Sequence, residues 1–194
     1  GKNALLVSAT ASGKTEAVAI PIAAKLLASG REDVCLYVAP TRALLNDLHK
    51  RVTAPLYHLG IQHAIRHGDR PLTKKDEELQ VLFTTPESLD VLLCRDAPFL
   101  SRVRYAVVDE IHQIRGAPRG AQVQFLLERI KSKTGRPLQR MAMSATVGDE
   151  NKLARWFQGS DSTVEIFSTG RQRDILPDIR WLDRPESLRE IICG

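Results

Sequence analysis

Cysteine is scarce: Cys35, Cys94 and Cys193 are the only three in 194 residues, far apart and with no C-x-x-C pair. That spacing gives no support to a structural zinc site or a dithiol redox motif, and it fits thiols kept reduced in a cytoplasmic setting. No apolar run approaches the roughly 18–20 residues that span a bilayer, so no membrane partner is expected. The first residues lack the basic, apolar and small-residue succession of a signal peptide. Like charges never run to five in a row, and low-complexity segments and internal repeats are absent, which excludes a polyelectrolyte tail or a solenoid. What remains has ordinary globular proportions, with 43% hydrophobic and 26% charged residues. The formal net charge is +5, compatible with a polyanionic partner and no more than that. The length predicts one main domain with a core of its own.

Short apolar runs alternate with segments of helical period. Strands are predicted at 3–8, 34–39, 61–66, 81–84, 105–108, 140–144 and 164–167. Helices are predicted at 13–28, at 41–59 with an interruption or bend near Pro55, at 86–93, at about 120–131 and at 150–157. In the fourth of these, Val123, Leu126, Leu127 and Ile130 recur at i, i+3, i+4, i+7 and form one apolar face. Continuous apolar strands between amphipathic helices predict an α/β fold, mostly a parallel sheet with helices on both faces. Ligands of such sheets bind beyond the carboxyl ends of the strands, so the residues after each strand carry the functional expectation.

The strongest local signal is Ser8-Ala9-Thr10-Ala11-Ser12-Gly13-Lys14-Thr15, which leaves an apolar strand and opens a helix. In that context the backbone N–H groups of Thr10, Ala11, Ser12 and Gly13 form a phosphate cradle, aided by the positive end of the helix dipole. Gly13 permits close approach, Lys14 reaches the β and γ oxygens, and the Thr15 hydroxyl is a magnesium ligand. Ser8 stands where the usual first glycine of the pattern would be. A second strand, Arg104–Val108, ends in Asp109-Glu110-Ile111-His112. Asp109 is the candidate holder of Mg2+, usually through water, and Glu110 the candidate base toward an attacking water. His112 is the candidate partner on the γ-phosphate side. Ser144-Ala145-Thr146 follows a third strand, where hydroxyls can bond the acidic segment.

Together these segments resemble superfamily-two helicases. The motifs come in the order Ser8–Thr15, Ala39-Pro40-Thr41-Arg42-Ala43-Leu44, His67-Gly68-Asp69, Thr85-Pro86-Glu87-Ser88-Leu89, Asp109-Glu110-Ile111-His112 and Ser144-Ala145-Thr146. The Asp-Glu-Ile-His form is similar to the DExH-box branch, and Gly116–Gly120 with Thr84–Leu89 looks most like the large helicase-related (Lhr-like) proteins. The resemblance implies a RecA-like P-loop NTPase domain over residues 1–170, with 171–194 a tail or the start of a connection to a second RecA-like domain. It implies ATP and Mg2+ as cofactors, with Lys14, Asp109 and Glu110 catalytic, and single-stranded or duplex nucleic acid as partner. Thr41, Arg42, Gly68, Asp69, Thr85 and Pro86 match the segments that touch the nucleic-acid backbone, and Ser144 and Thr146 the one that couples nucleotide state to strand grip. Hydroxyls, an arginine and exposed N–H groups at helix N-termini suit phosphates independently. With 5% aromatic residues and none clustered near these loops, stacking contributes less.

Two other readings fit parts of the pattern. An ATP-regulated clamp that grips nucleic acid or protein without unwinding needs the same phosphate loop. A small-molecule P-loop kinase explains Lys14 and Thr15 but gives no role to Thr41, Arg42, Thr85, Pro86 or Ser144.

Overall fold

Val34-Cys35-Leu36-Tyr37-Val38 is apolar throughout, and all five residues are buried. A strand without a solvent face has to be covered on both sides. In the computed structural model, which describes residues 2–9, 12–67, 78–145, 148–159 and 163–169, it is the third strand of a seven-stranded sheet. In chain order the elements are β1 (Asn3–Val7), α1 (Lys14–Ala28), β2 (Val34–Val38), α2 (Arg42–His58), β3 (His63–Arg66), β4 (Val81–Thr84), α3 (Pro86–Cys94), β5 (Val103–Val108), α4 (Pro118–Thr134), β6 (Gln139–Ser144), α5 (Glu150–Phe157) and β7 (Val164–Ser168). Two short 3-10 turns, Pro98–Arg102 and Ile111–Gln113, flank β5. The spatial order is β3-β4-β2-β5-β6-β1-β7, and all six strand pairings are parallel.

Strand alternation splits the core into two layers. Leu5, Val7, Leu36, Val38, Ala106, Val108 and Ala142 face one side, where α3, α4 and α5 contribute Leu89, Leu126, Leu127 and Phe157. Cys35, Tyr37, Phe83, Val107, Met141 and Met143 face the other, where α1 and α2 contribute Val18, Leu26, Leu45 and Leu48. Each side chain fully buried in this way is worth about 1.5–3 kcal/mol.

That figure bears on Pro55, where the sequence predicts either an interruption or a bend. Helix α2 is not interrupted at Pro55 but continues to His58. Proline removes one backbone hydrogen bond and costs about 3 kcal/mol in a helix interior. Leu56, one residue on, is buried beside Leu45 and Leu48, and its docking offsets the loss. Helix α4 starts at Pro118, two residues before the predicted start, because proline suits the first turn.

The strand tips end within two residues of one another, β5 stopping opposite Ala142 and β1 opposite Ser144. Val7 pairs with Ser144, Val108 with Ala142, and Val38 with both Val108 and Thr84. Beyond them the ladder takes one more step: Asp109 N–H donates to the Val38 carbonyl at 2.9 Å and Ala39 N–H to that of Thr84 at 3.0 Å. The carboxyl edge therefore has two halves. Adjacent strands β5, β6 and β1 deliver the acidic pair, Ser144 and the phosphate loop. Adjacent strands β2 and β4 deliver Thr41 and Thr85.

Candidate functional site

The first half-edge forms a cavity of about 450 Å3 bordered by Ser12, Gly13, Lys14, Thr15, Asp109 and Glu110, with Glu16, Leu44 and Arg51 completing the wall. Gly13 caps α1 at φ +87°, a left-handed conformation that favours glycine. The Lys14 ammonium donates to the carbonyls of Ser8 at 2.5 Å and Ala9 at 2.7 Å, which folds the lysine along the loop. Thr15 lies buried in the first turn of α1. Glu110 sits at φ +43°, rare for a residue with a side chain, and its N–H is held by Asp109 Oδ1 at 2.9 Å.

The acids are in an electrostatic conflict. Burial first, and then the Glu110 charge, push the Asp109 carboxyl up to about 6, partly offset by the Glu110 N–H and the charges of Arg51 and Lys14. Glu110 Oε2 is buried with no hydrogen-bond partner among the described residues. A carboxylate oxygen that no donor reaches, beside a carboxylate whose charge burial resists, is a pair short of positive charge. This donor set, with the Thr15 hydroxyl, fits a hard divalent cation and bound water. Beneath them the Tyr37 phenol is held neutral, its pKa raised well above the usual value by burial and then by Asp109.

His112 Nδ1 links the acidic segment to the tip of β6. It lies 3.2 Å from Ser144 Oγ, accepts from Ala145 N–H at 3.3 Å and stands 3.2 Å from Glu110 Oε2. As an acceptor, Nδ1 takes hydrogen bonds from the Ala145 N–H and the Ser144 hydroxyl. His112 does not border the cavity lined by Lys14 and Asp109, but touches it through Glu110.

The second half-edge forms a cavity of about 480 Å3 lined by Thr41, Arg42, Thr85, Glu87, Ser88 and Arg119, with Pro40 and Val91. Thr41 caps α2, accepting from Leu44 N–H at 3.3 Å, and Thr85 caps α3, accepting from Ser88 N–H at 3.4 Å. Both helix N-termini thus open on one hollow. Arg42 is exposed and Pro86 buried. Arg119, in the first turn of α4, reaches across: Nε donates to Glu87 Oε1 at 2.7 Å, Nη2 lies 2.6 Å from the same oxygen, and Nη1 donates to the Pro40 carbonyl at 3.1 Å.

Thr10, Ala11, Gly68, Asp69 and Thr146 lie outside the described residues. Arg51 and Tyr37 are added to the sites without any sequence signal of their own, and Arg119 with none beyond the Gly116–Gly120 resemblance. Arg51 is nine residues into α2, Tyr37 is mid-strand, and Arg119 is ten residues past Asp109. Only the Gly116–Gly120 segment, part of the family resemblance, pointed near the last of them. No helix among the described residues is long and apolar enough to cross a membrane.

The chain is 32% identical, over its whole length, to the ATP-dependent helicase Lhr-Core of Methanothermobacter thermautotrophicus, of which it covers 24%. Over 92% of the chain it is 30% identical to the Lhr helicase/uracil glycosylase of Escherichia coli, covering 13% of that protein. Over 80% it is 35% identical to the ATP-dependent DNA helicase Hel308 of Pyrococcus horikoshii, covering 21%. It thus spans a quarter or less of the length of these relatives. The solved Lhr helicase of Mycobacterium smegmatis, bound to ssDNA and AMP-PNP, matches 99% of this chain and 28% of its own, at a TM-score of 0.80 and 30% identity. Such RecA-like helicase domains share the parallel sheet and its helices. The elements from β1 into α5 lie within residues 1–154, the stretch that matches the DEAD/DEAH box helicases, and the chain belongs to that family.

Proposed function

We propose that this chain is the ATP-binding part of an enzyme that couples ATP hydrolysis to translocation along nucleic acid or to strand separation. One observation carries the reading: neighbouring strand tips of one sheet open on a phosphate-type cavity with paired acids and on a second hollow at two helix N-termini. In the first cavity the loop N–H groups and Lys14 bind the β and γ phosphates, with Lys14 exchanging its loop carbonyls for phosphate oxygens. Thr15 and Asp109 would hold a magnesium ion, which when bound offsets the negative charge of the triphosphate. Glu110 orients the attacking water and accepts its proton, while the strained backbone fixes where that carboxylate points. Ser144 reports the position of Glu110 through His112, with Thr146 in the same coupling segment.

In the second hollow Thr41, Arg42 and Thr85 contact the sugar–phosphate backbone rather than bases; Pro86, buried behind Thr85 and outside the hollow's lining, serves by starting α3, and Gly68 and Asp69 are assigned the backbone role by the family resemblance alone. Weak sequence preference and marked salt dependence follow. The partner in the longer protein is a second RecA-like domain, with 171–194 a tail or the start of the connection to it, and it supplies transition-state charge beyond Lys14 and Arg51. The domain proper extends over 1–170. The free thiols of Cys35 and Cys94 suit a reducing, cytoplasmic setting.

The test uses the full-length protein. Wild type should hydrolyse ATP faster with a single-stranded oligonucleotide and displace strands. Lys14→Ala should abolish both, and Glu110→Gln should retain nucleotide binding while losing about 10²–10⁴-fold in turnover. ATP-dependent binding without strand displacement by wild type would favour a clamp. Equal loss of nucleotide binding and turnover in Glu110→Gln would give Glu110 a structural role.

A further inference from the structure

The second hollow contains an anion of its own. Glu87 follows the Thr85 cap in the first turn of α3, where unpaired N–H groups and the helix dipole attract negative charge. Its carboxylate is held below the usual carboxylate range. Burial works against this, but hydrogen bonds from its own N–H and from Arg119, the Arg119 charge and the Thr85 hydroxyl outweigh it. Arg119 commits two nitrogens to one oxygen of that carboxylate and a third to the Pro40 carbonyl. A guanidinium has five N–H donors, so others remain for a further acceptor. Both side chains are about half exposed, at 44% and 51%, so the pair is built to exchange.

A carboxylate at a helix N-terminus, paired with an arginine on a neighbouring helix, occupies the setting that a phosphodiester would take. Resting on the nucleic-acid reading above, we propose that Arg119 is a backbone-phosphate ligand and that Glu87 is its built-in competitor. Glu87 takes the guanidinium when no phosphate is present and weakens the grip when one arrives. A motor that steps along a strand has to release each phosphate, and an internal carboxylate that recaptures the arginine supplies that release. The competition costs little in either direction, because a half-exposed pair is marginal in energy.

The opposing explanation is that the pair only pins α4 to α3. The two differ in sign. If Glu87 competes, its neutralisation tightens binding; if it braces, neutralisation loosens it. Anisotropy of a labelled oligothymidylate of about twenty nucleotides, titrated with the full-length protein, reads this directly. Glu87→Gln should bind up to about fivefold more tightly. Arg119→Gln should bind more weakly and lower the slope of log affinity against log salt by about 0.7, one single-strand phosphate contact. In the Arg119→Gln background, Glu87→Gln should lose its effect, since it acts through the arginine. Glu78→Gln, the same charge change at the other end of β4, controls for net charge and should leave affinity unchanged. Wild type failing to bind the oligonucleotide overturns the nucleic-acid reading and this inference together. Wild type binding with Glu87→Gln no tighter, or with the gain persisting without Arg119, overturns this inference alone.

Discussion

Asp109 is 8% exposed and stands next to Glu110, and these two facts give it a stability signature. Its carboxyl is raised from 3.8 to about 6, burial first and the Glu110 charge second. Between those pH values the folded chain holds a proton that the unfolded chain has released. Stability attributable to this group therefore falls as pH rises from about 4 to about 6, and above that the full cost of the buried charge remains. A shift of that size corresponds to at most about 3 kcal/mol. Asparagine in place of Asp109 removes the charge and keeps an oxygen for the Glu110 N–H. Asp109→Asn should therefore raise the melting temperature of the metal-free protein near pH 7.5, at about 2–4 °C per kcal/mol, and should match wild type near pH 4. Thermal unfolding across that range is the measurement. An equal gain at both ends would reflect packing instead of charge. A second buried charge behaves differently because it is paired. Arg140 is buried in β6 and bonded to Glu128 at 2.8 Å. Glu128→Ala should be clearly destabilising, since it deprives a buried guanidinium of that carboxylate, though by less than the about 3–5 kcal/mol of a fully buried pair because Glu128 is itself 39% exposed, whereas breaking a surface pair such as Lys2–Glu165 should leave stability nearly unchanged. Denaturant titration of the two variants side by side separates them.

At the scale of elements, the first turn of α4 packs closely against the turn that follows the acidic segment. A Cβ on Gly120 would meet the Ile114 carbonyl oxygen at 2.3 Å and the Trp156 ring at 2.9 Å. The first contact is backbone, so the start of α4 would have to move. Gly120→Ala should cost about 1–3 kcal/mol. Gly148→Ala, with nothing within 4 Å and no positive φ, should stay within about 0.5 kcal/mol of wild type. Melting curves of both variants test this, and equal stability would mean that the turn has slack. This joint also shows what sequence can and cannot reveal. The strands and helices follow from apolar runs and period, and the phosphate loop from Gly13-Lys14-Thr15 at a strand–helix junction. Asp109 follows from being the first polar residue past a strand tip, and Thr41 from the family resemblance. Gly120 carries no such mark, because its constraint is a contact with Ile114 and Trp156 that only the packed turn creates. Arg51 is an ordinary surface arginine in sequence, and Arg119 is marked only by lying within the Gly116–Gly120 segment of the family resemblance, which gives it no role. They become site residues because α2 and α4 lie against neighbouring strands, and that strand order is not written in any local pattern. Helix α2 runs through Pro55 for a related reason: tertiary burial of Leu56 outweighs local propensity.

At the scale of the molecule, both hollows lie on one sheet edge and share covalent and hydrogen-bonded connections. Strand β2 ends in Val38, whose carbonyl takes the Asp109 N–H, and three residues on the same chain reaches Thr41. Arg119 closes the loop from the other side, running from the acidic segment to the Pro40 carbonyl and Glu87. Any ligand that shifts Asp109 or Glu110 strains the route to the second hollow, and the reverse holds. Thermodynamic linkage then requires the two affinities to change by one common factor, typically about 5–150-fold for coupled sites. In the full-length protein, saturation with a non-hydrolysable ATP analogue should tighten oligonucleotide binding by some factor in that range. Saturation with oligonucleotide should tighten analogue binding by the same factor. Arg119→Gln should shrink both factors together, because the bond to Pro40 is one of the two connections, while Val38 to Asp109 keeps part of the coupling. Four titrations, two on wild type and two on the variant, decide the matter. Unchanged coupling in the variant would show that the signal travels through β2 alone, and absence of coupling in wild type would mean that the two hollows act independently despite their common edge.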